Sequence, residues 1–175
     1  MTATATPSQS SKSPAAAATT LLTPHLVCRD AAGAIEFYKR AFGAEEMRVI
    51  RAPDGGILHA ALLIDGAMFF LTEEHLEFGS KSPQSLGCSP VTLHLHVKDC
   101  DAVFGRAVAA GCTVRMPLAD MFWGDRYGVL SDPYGHAWSI ATTVRHLTVA
   151  EIEKGAAACA TQMKQEQDRR RAASR

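Results

Sequence analysis

No excess charge, no long apolar run and no paired cysteines mark this chain, and each absence removes a class of protein. Lysine plus arginine number 18 and aspartate plus glutamate number 18. With no net charge there is no electrostatic case for a nucleic-acid partner or an anionic membrane surface. No apolar stretch in the sequence approaches the ~18 residues that a membrane span needs. The five cysteines (Cys28, Cys88, Cys100, Cys112 and Cys159) are scattered, odd in number and free of any Cys-x-x-Cys. That pattern argues against a disulfide framework or zinc knuckle and for reduced thiols in the cytoplasm. Residues 1–20 have neither the continuous apolar segment of a secretory signal nor the arginines of a mitochondrial transit peptide, and they read as a disordered tail. The sequence also has no GxSxG, no HExxH, no phosphate-binding loop and no dinucleotide fingerprint.

What remains is a chain of 175 residues, 47% of them hydrophobic, which suits one compact domain with tails. Its organisation is a duplication. Thr23 to Gly43 laid over Thr92 to Gly111 aligns T-P-H-L-V-C-R-D with T-L-H-L-H-V-K-D. Alternation in each half predicts a strand, and Asp30 and Asp99 then stand at helix N-cap positions. Ala34, Ile35, Tyr38 and Phe42 recur at helical spacing, as do Ala102, Val103, Ala107 and Ala110, with Gly43 and Gly111 at the C-caps. Further on, Gly66-Ala67-Met68-Phe69-Phe70-Leu71 matches Gly135-His136-Ala137-Trp138-Ser139-Ile140. Each glycine follows a strand-like run and a turn signal, Asp65-Gly66 or Asp132-Pro133-Tyr134-Gly135. Each unit therefore reads strand, helix and about three more strands, over residues 21–76 and 90–145 of one 21–145 domain. Leu76 to Pro90 is a linker rich in Gly, Ser and Pro. Residues 146–175 begin with a capping box, Thr148 to Glu151, and predict a helix that frays beyond about Thr161 into a solvated charge run, Gln165 to Arg171.

A doubled βαβββ unit with these motifs resembles the vicinal-oxygen-chelate (glyoxalase/bleomycin-resistance/dioxygenase) superfamily. The motifs are Ala34-Ile35-Glu36-Phe37-Tyr38 leading into Gly43-Ala44-Glu45, Val97-Lys98-Asp99-Cys100-Asp101, and the turn Asp132-Pro133-Tyr134-Gly135-His136. Met121 to Gly128, followed by Trp138 to Thr142, looks like the PhnB-like branch. The match runs from about Leu22 to Thr143. It implies an α+β fold in which two tandem βαβββ units form a cupped mixed sheet, followed here by the C-terminal helix.

The resemblance also implies where a metal would be held: one His or Glu on the first and last strand of each unit. Those places here are Thr23, Phe70, Thr92 and Ser139. Hydroxyls are weak ligands and a phenyl ring is none, so no metal and no other cofactor is expected. His25 and His94 lie two residues further along their strands and share the cup face, with His96 beside them and His59 on another strand. They line the cup, or with each other form a substitute metal site. Trp123 and Arg126 form a candidate clamp, an aromatic face beside a guanidinium fork. The plainer alternative has Trp123 capping the core and Arg126 paired with Asp125 or a surface acid. Trp138 and Phe69 read as core, and Cys28 and Cys100 as inert thiols.

The expected function is metal-independent binding of a small molecule by Thr23, His25, Phe70, Thr92, His94, Trp123, Arg126 and Ser139, in a cytoplasmic homodimer with no nucleic-acid or membrane partner. The alternative is an enzyme acting on a small oxygenated substrate through the cup histidines, with or without a divalent metal.

Overall fold

The computed structural model describes residues 22–173, so the tail expected over residues 1–20 lies outside the described residues. The first unit runs β1 (His25–Cys28), α1 (Ala31–Phe42), β2 (Glu45–Arg51), β3 (Ile57–Ile64) and β4 (Ala67–Glu73). The second repeats it as β5 (Thr92–His96), α3 (Cys100–Ala110), β6 (Thr113–Asp120), β7 (Asp125–Ser131) and β8 (Ala137–Thr143), after a short α2 (Pro83–Leu86). Both main helices start as the sequence predicts. The Asp30 carboxylate accepts from the Gly33 N–H at 2.8 Å, and Asp99 from Ala102 at 2.9 Å. Both end on a left-handed glycine, Gly43 at φ 70° and Gly111 at φ 119°.

Each unit closes its own four-stranded sheet, in the orders β1-β4-β3-β2 and β5-β8-β7-β6. The expected cupped sheet is thus two mixed sheets, each with one parallel pair made possible by its crossover helix. The registers correspond: His25 lies opposite Phe70 in one unit and His94 opposite Ser139 in the other. Thr23 precedes β1, which begins only at His25, whereas its counterpart Thr92 opens β5. On α3 the buried stripe is Cys100, Phe104 and Ala107, while Ala102 is exposed.

The two units share one core. Trp138 of the second packs against Phe42 at 4.6 Å, Tyr38 at 5.6 Å and Phe69 at 6.2 Å between ring centroids, all three of the first. Trp138 and Phe69 are both buried, as the repeat pattern implies. Amid these rings lies the buried carboxylate of Asp132. One oxygen accepts from the Tyr38 hydroxyl at 2.8 Å and the Trp138 indole N–H at 2.9 Å. The other accepts from the backbone N–H of Tyr134 and of His136, each at 2.9 Å. The His136 ring reaches the Val27 carbonyl at 3.1 Å, so the same turn also touches β1. Burial raises the Cys28 thiol far above its ordinary range and pushes Cys112 up to about 12, which makes both unreactive.

The linker is more ordered than its composition suggests. Glu74 accepts from the Ser82 N–H at 2.6 Å, the Ser82 hydroxyl at 2.7 Å and the Ser85 hydroxyl at 2.8 Å. Those bonds to the ionised form, led by Ser85, lower its pKa to about 2. Beyond the second unit, the Thr148–Glu151 capping box forms as read, with the Thr148 N–H donating to Glu151 at 2.7 Å. The helix it opens, α4 (Val149–Ala173), continues well past Thr161. Gln, Lys, Arg and Ala are good helix formers, and Arg170 pairs with Glu166 one turn back at 3.0 Å. Gly155 lets α4 meet the domain, since a Cβ there would lie 2.9 Å from that of Phe122.

Two outcomes follow. Asp132→Ala leaves a buried hydroxyl, an indole N–H and two amides without their acceptor, at ~1–3 kcal/mol for each group that finds no substitute. A loss of at least ~3 kcal/mol, or a Tm lower by roughly 6–12 °C, is expected in thermal unfolding, with Asp132→Asn intermediate. A change under ~1 kcal/mol would remove Asp132 as the joint between the units. For Glu74 the folded pKa lies below the unfolded ~4.3. Its contribution is therefore complete above that value and fades as pH falls toward about 2. The hydrogen-exchange protection factor at the Ser82 amide should drop across that window in the native chain and stay flat in Glu74→Gln.

Candidate functional site

Strand alternation divides each sheet into a core face and an open face. In the second unit Leu130, Trp138 and Ile140 are buried against the core, and Leu93 and Leu95 pack on it. The residues between them, Thr92, His94 and His96 on β5, Asp125 and Tyr127 on β7, and Ser139 and Thr143 on β8, share the opposite face. There the His94 Nδ1 lies 2.8 Å from the buried Ser139 hydroxyl, and its ring stacks on Tyr127 at 6.2 Å and 21°. The Trp123 ring meets Tyr127 edge-on at 5.6 Å, and its N–H donates to Asp125 at 3.0 Å. Thr143 donates to the other Asp125 oxygen at 2.7 Å, and His96 Nε2 lies 3.0 Å from the Thr143 hydroxyl.

The first unit carries a smaller version of this surface. His25, His59 and Phe70 gather with ring centroids 5.6 Å (His25–His59), 4.7 Å (His59–Phe70) and 5.9 Å (His25–Phe70) apart. Partial burial, and next the neighbouring His59, lower the His25 pKa, so its imidazole is neutral at neutral pH. Thr23, half-buried, stands just before the strand that carries His25. The two open faces are not joined: among the described residues no hydrogen bond or ring contact links the first histidine group to the second. Between the units runs a mostly apolar cleft of about 200 Å³, lined by Pro24, Met68, Phe69, Leu93 and His94 among others.

The donor chemistry at the four positions where the resemblance places a metal does not fit one. Phe70 sits opposite His25 with no donor atom, and the Ser139 hydroxyl is already engaged by His94. Thr23 and Thr92 offer neutral hydroxyls only. Among the described residues, no group of three or more His, Cys, Asp or Glu side chains is placed to hold a metal ion.

Trp123 and Arg126 are not brought together as a clamp, and Arg126 follows the plainer reading, paired with surface acids. Arg126 lies on the other face of β7 from Asp125 and Tyr127, beside Gly128, where a Cβ would strike Phe104 of α3. Its guanidinium binds Asp101 of α3 through two bonds of 2.8 Å each and Asp120 at 3.2 Å. Arg126 therefore ties β7 to α3 and β6, and Trp123 turns toward Asp125 instead. Asp125, Tyr127, His96 and Thr143 complete the open face. Their signal in sequence was the period of two along β5, β7 and β8, once each strand's register is known.

The chain has relatives of matching architecture. The family model for the Glyoxalase/Bleomycin resistance protein/Dioxygenase superfamily matches residues 19–140. The uncharacterized protein Rv0887c of Mycobacterium tuberculosis is 50% identical over 135 residues, covering 75% of this chain and 79% of that protein. Among solved structures, TioX from Micromonospora is 26% identical, with a TM-score of 0.57 over 71% of this chain and 99% of TioX. A PhnB protein from Bacillus cereus shares the fold at 22% identity, with a TM-score of 0.54 over 70% of this chain and 99% of its own. With the doubled unit, the paired registers and a family match across both units, the chain belongs to the Glyoxalase/Bleomycin resistance protein/Dioxygenase superfamily.

Proposed function

We propose that this protein is a PhnB-like member of the superfamily that binds a small molecule on its open sheet faces without a metal, as a cytoplasmic homodimer. One observation carries the reading: both units present a like face of histidine and aromatic or hydroxyl side chains, while the four ligand positions hold Thr23, Phe70, Thr92 and Ser139. Flat rings with a few polar groups among them suit a small, planar, partly polar ligand. The Met121–Gly128 and Trp138–Thr142 segments support the PhnB-like placement. Free cysteines support a reducing compartment, and no described helix is long and apolar enough to cross a membrane.

Exposure supports the dimer. His25, Thr92, His94 and His96 are exposed, as are Met47 and Ile50 on the edge strand β2 and Leu58 at the start of β3. A second copy laid against these faces converts two open surfaces into enclosed clefts and covers apolar area. A second reading, acid–base catalysis on an oxygenated substrate, is supported by His25, whose neutral imidazole is suited to accept a proton.

Protein purified without a histidine tag should hold well under one equivalent of zinc, manganese, nickel or iron by elemental analysis. Stoichiometric metal, lost in a His25→Ala, His94→Ala double variant, would establish the substitute site instead. A thermal-shift screen of small planar compounds should yield hits, since a ligand at 100 times its Kd stabilises by ~2.7 kcal/mol. Thr92→Trp should abolish those shifts with its own Tm little changed, and shifts that survive would place the ligand elsewhere. For the dimer, light scattering at micromolar concentration should give twice the mass of the 18.8 kDa chain. A monomer there would remove the enclosed cleft.

A further inference from the structure

We propose that the second unit's face selects ligands that carry an O–H or N–H donor, which it reads through the Nδ1 of His96. The inference rests on the small-molecule reading above and assigns the ligand class for that face: a planar molecule with a hydroxyl or ring N–H, a phenol being the simplest case. It follows from counting donors along one chain of hydrogen bonds. Trp123 Nε1–H is a donor only, and it points at one oxygen of Asp125. The Asp125 carboxylate accepts only, so the single hydroxyl hydrogen of Thr143 goes to its other oxygen, 2.7 Å away. Thr143 then has nothing left to donate, and its lone pair faces His96 Nε2 at 3.0 Å. That nitrogen must carry the hydrogen.

Neutral His96 is therefore held as the Nε2–H tautomer, and Nδ1 keeps its lone pair with no partner among the described residues. A histidine free to choose its tautomer accepts from one ligand and donates to another. This one accepts, because the chain that starts at the Trp123 N–H fixes every hydrogen along it. Beside it, 6.4 Å away between ring centroids, lies His94, stacked on Tyr127. A flat ligand resting on that pair brings its edge to His96. The carboxylate also keeps the arrangement from reversing, since a rotated Thr143 would leave the Asp125 Oδ1 without the donor it has here.

Asp125→Asn tests the chain by inverting it. The Trp123 N–H forces the new amide to aim its carbonyl oxygen at the indole, so its NH2 faces Thr143. Thr143 then accepts from the amide and donates to His96 Nε2, and neutral His96 becomes the Nδ1–H tautomer. Long-range 15N–1H NMR of the imidazole should show Nε2–H in the native protein and Nδ1–H in Asp125→Asn. The same tautomer in both would overturn the inference. Binding is read with p-cresol and its methyl ether, 4-methylanisole, by chemical-shift titration. The native face should prefer the phenol by about fivefold, a typical single hydrogen bond. Asp125→Asn should lose or reverse that preference. Thr143→Val, which cuts the chain without inverting it, should reduce it. A tautomer that flips with no phenol preference overturns the ligand class, while the hydrogen-bond chain stands. If neither probe binds at this face, the small-molecule reading itself fails, and the selectivity with it.

Discussion

The Asp132 carboxylate is the point on which both units depend. A carboxylate among aromatic rings is costly unless its lone pairs are met, and here four donors meet them: two side chains and two backbone amides. Tyr38 comes from α1 of the first unit and Trp138 from β8 of the second, so satisfying one charge sets the distance between the units. The same residue shapes the turn into β8, and His136 one step on reaches the Val27 carbonyl beside β1. Geometry at this turn thereby decides how the two sheets sit on one core.

From that joint the open faces follow. Because Trp138 and Ile140 must lie inward, Ser139 and Thr143 lie outward, and parallel pairing with β5 brings His94 opposite Ser139. The first unit repeats the logic with Phe69 and Leu71 inward and Phe70 facing the side of His25. The resulting surfaces are alike in placement and unlike in chemistry. The first is a cluster of two imidazoles and a phenyl ring. The second is a polar chain running from Trp123 through Asp125 and Thr143 to His96.

Arg126 shows how a residue that reads as functional is absorbed by the fold. Its neighbours Trp123, Asp125 and Tyr127 all serve the open face, and sequence proximity suggested that it did too. One step of strand register turns it to the side of α3 and β6, where Asp101 and Asp120 hold it. Glu74 is the reverse case: an unremarkable acid just past β4 that organises the linker through Ser82 and Ser85. Its partners are not at a motif spacing, so pattern alone could not find it.

The amino-acid sequence by itself determined the duplicated unit, the capped helices, the strand alternation and the weak donor chemistry of Thr23, Phe70, Thr92 and Ser139. Each of these depends on local periodicity or on the chemistry of a single side chain, which a chain carries wherever it folds. Asp30, Asp99, Gly43 and Gly111 were legible for that reason, as were Thr23, Phe70, Thr92 and Ser139 as poor ligands. Only the tertiary structure decided that the strands make two sheets, that β1 begins after Thr23, that Arg126 pairs with Asp101 and Asp120 and that Asp132 joins the units. The chain from Trp123 to His96 belongs there too, because it crosses three strands whose register fixes which side chains meet. Contacts between residues far apart in sequence are set by how buried faces pack, and no local pattern records them.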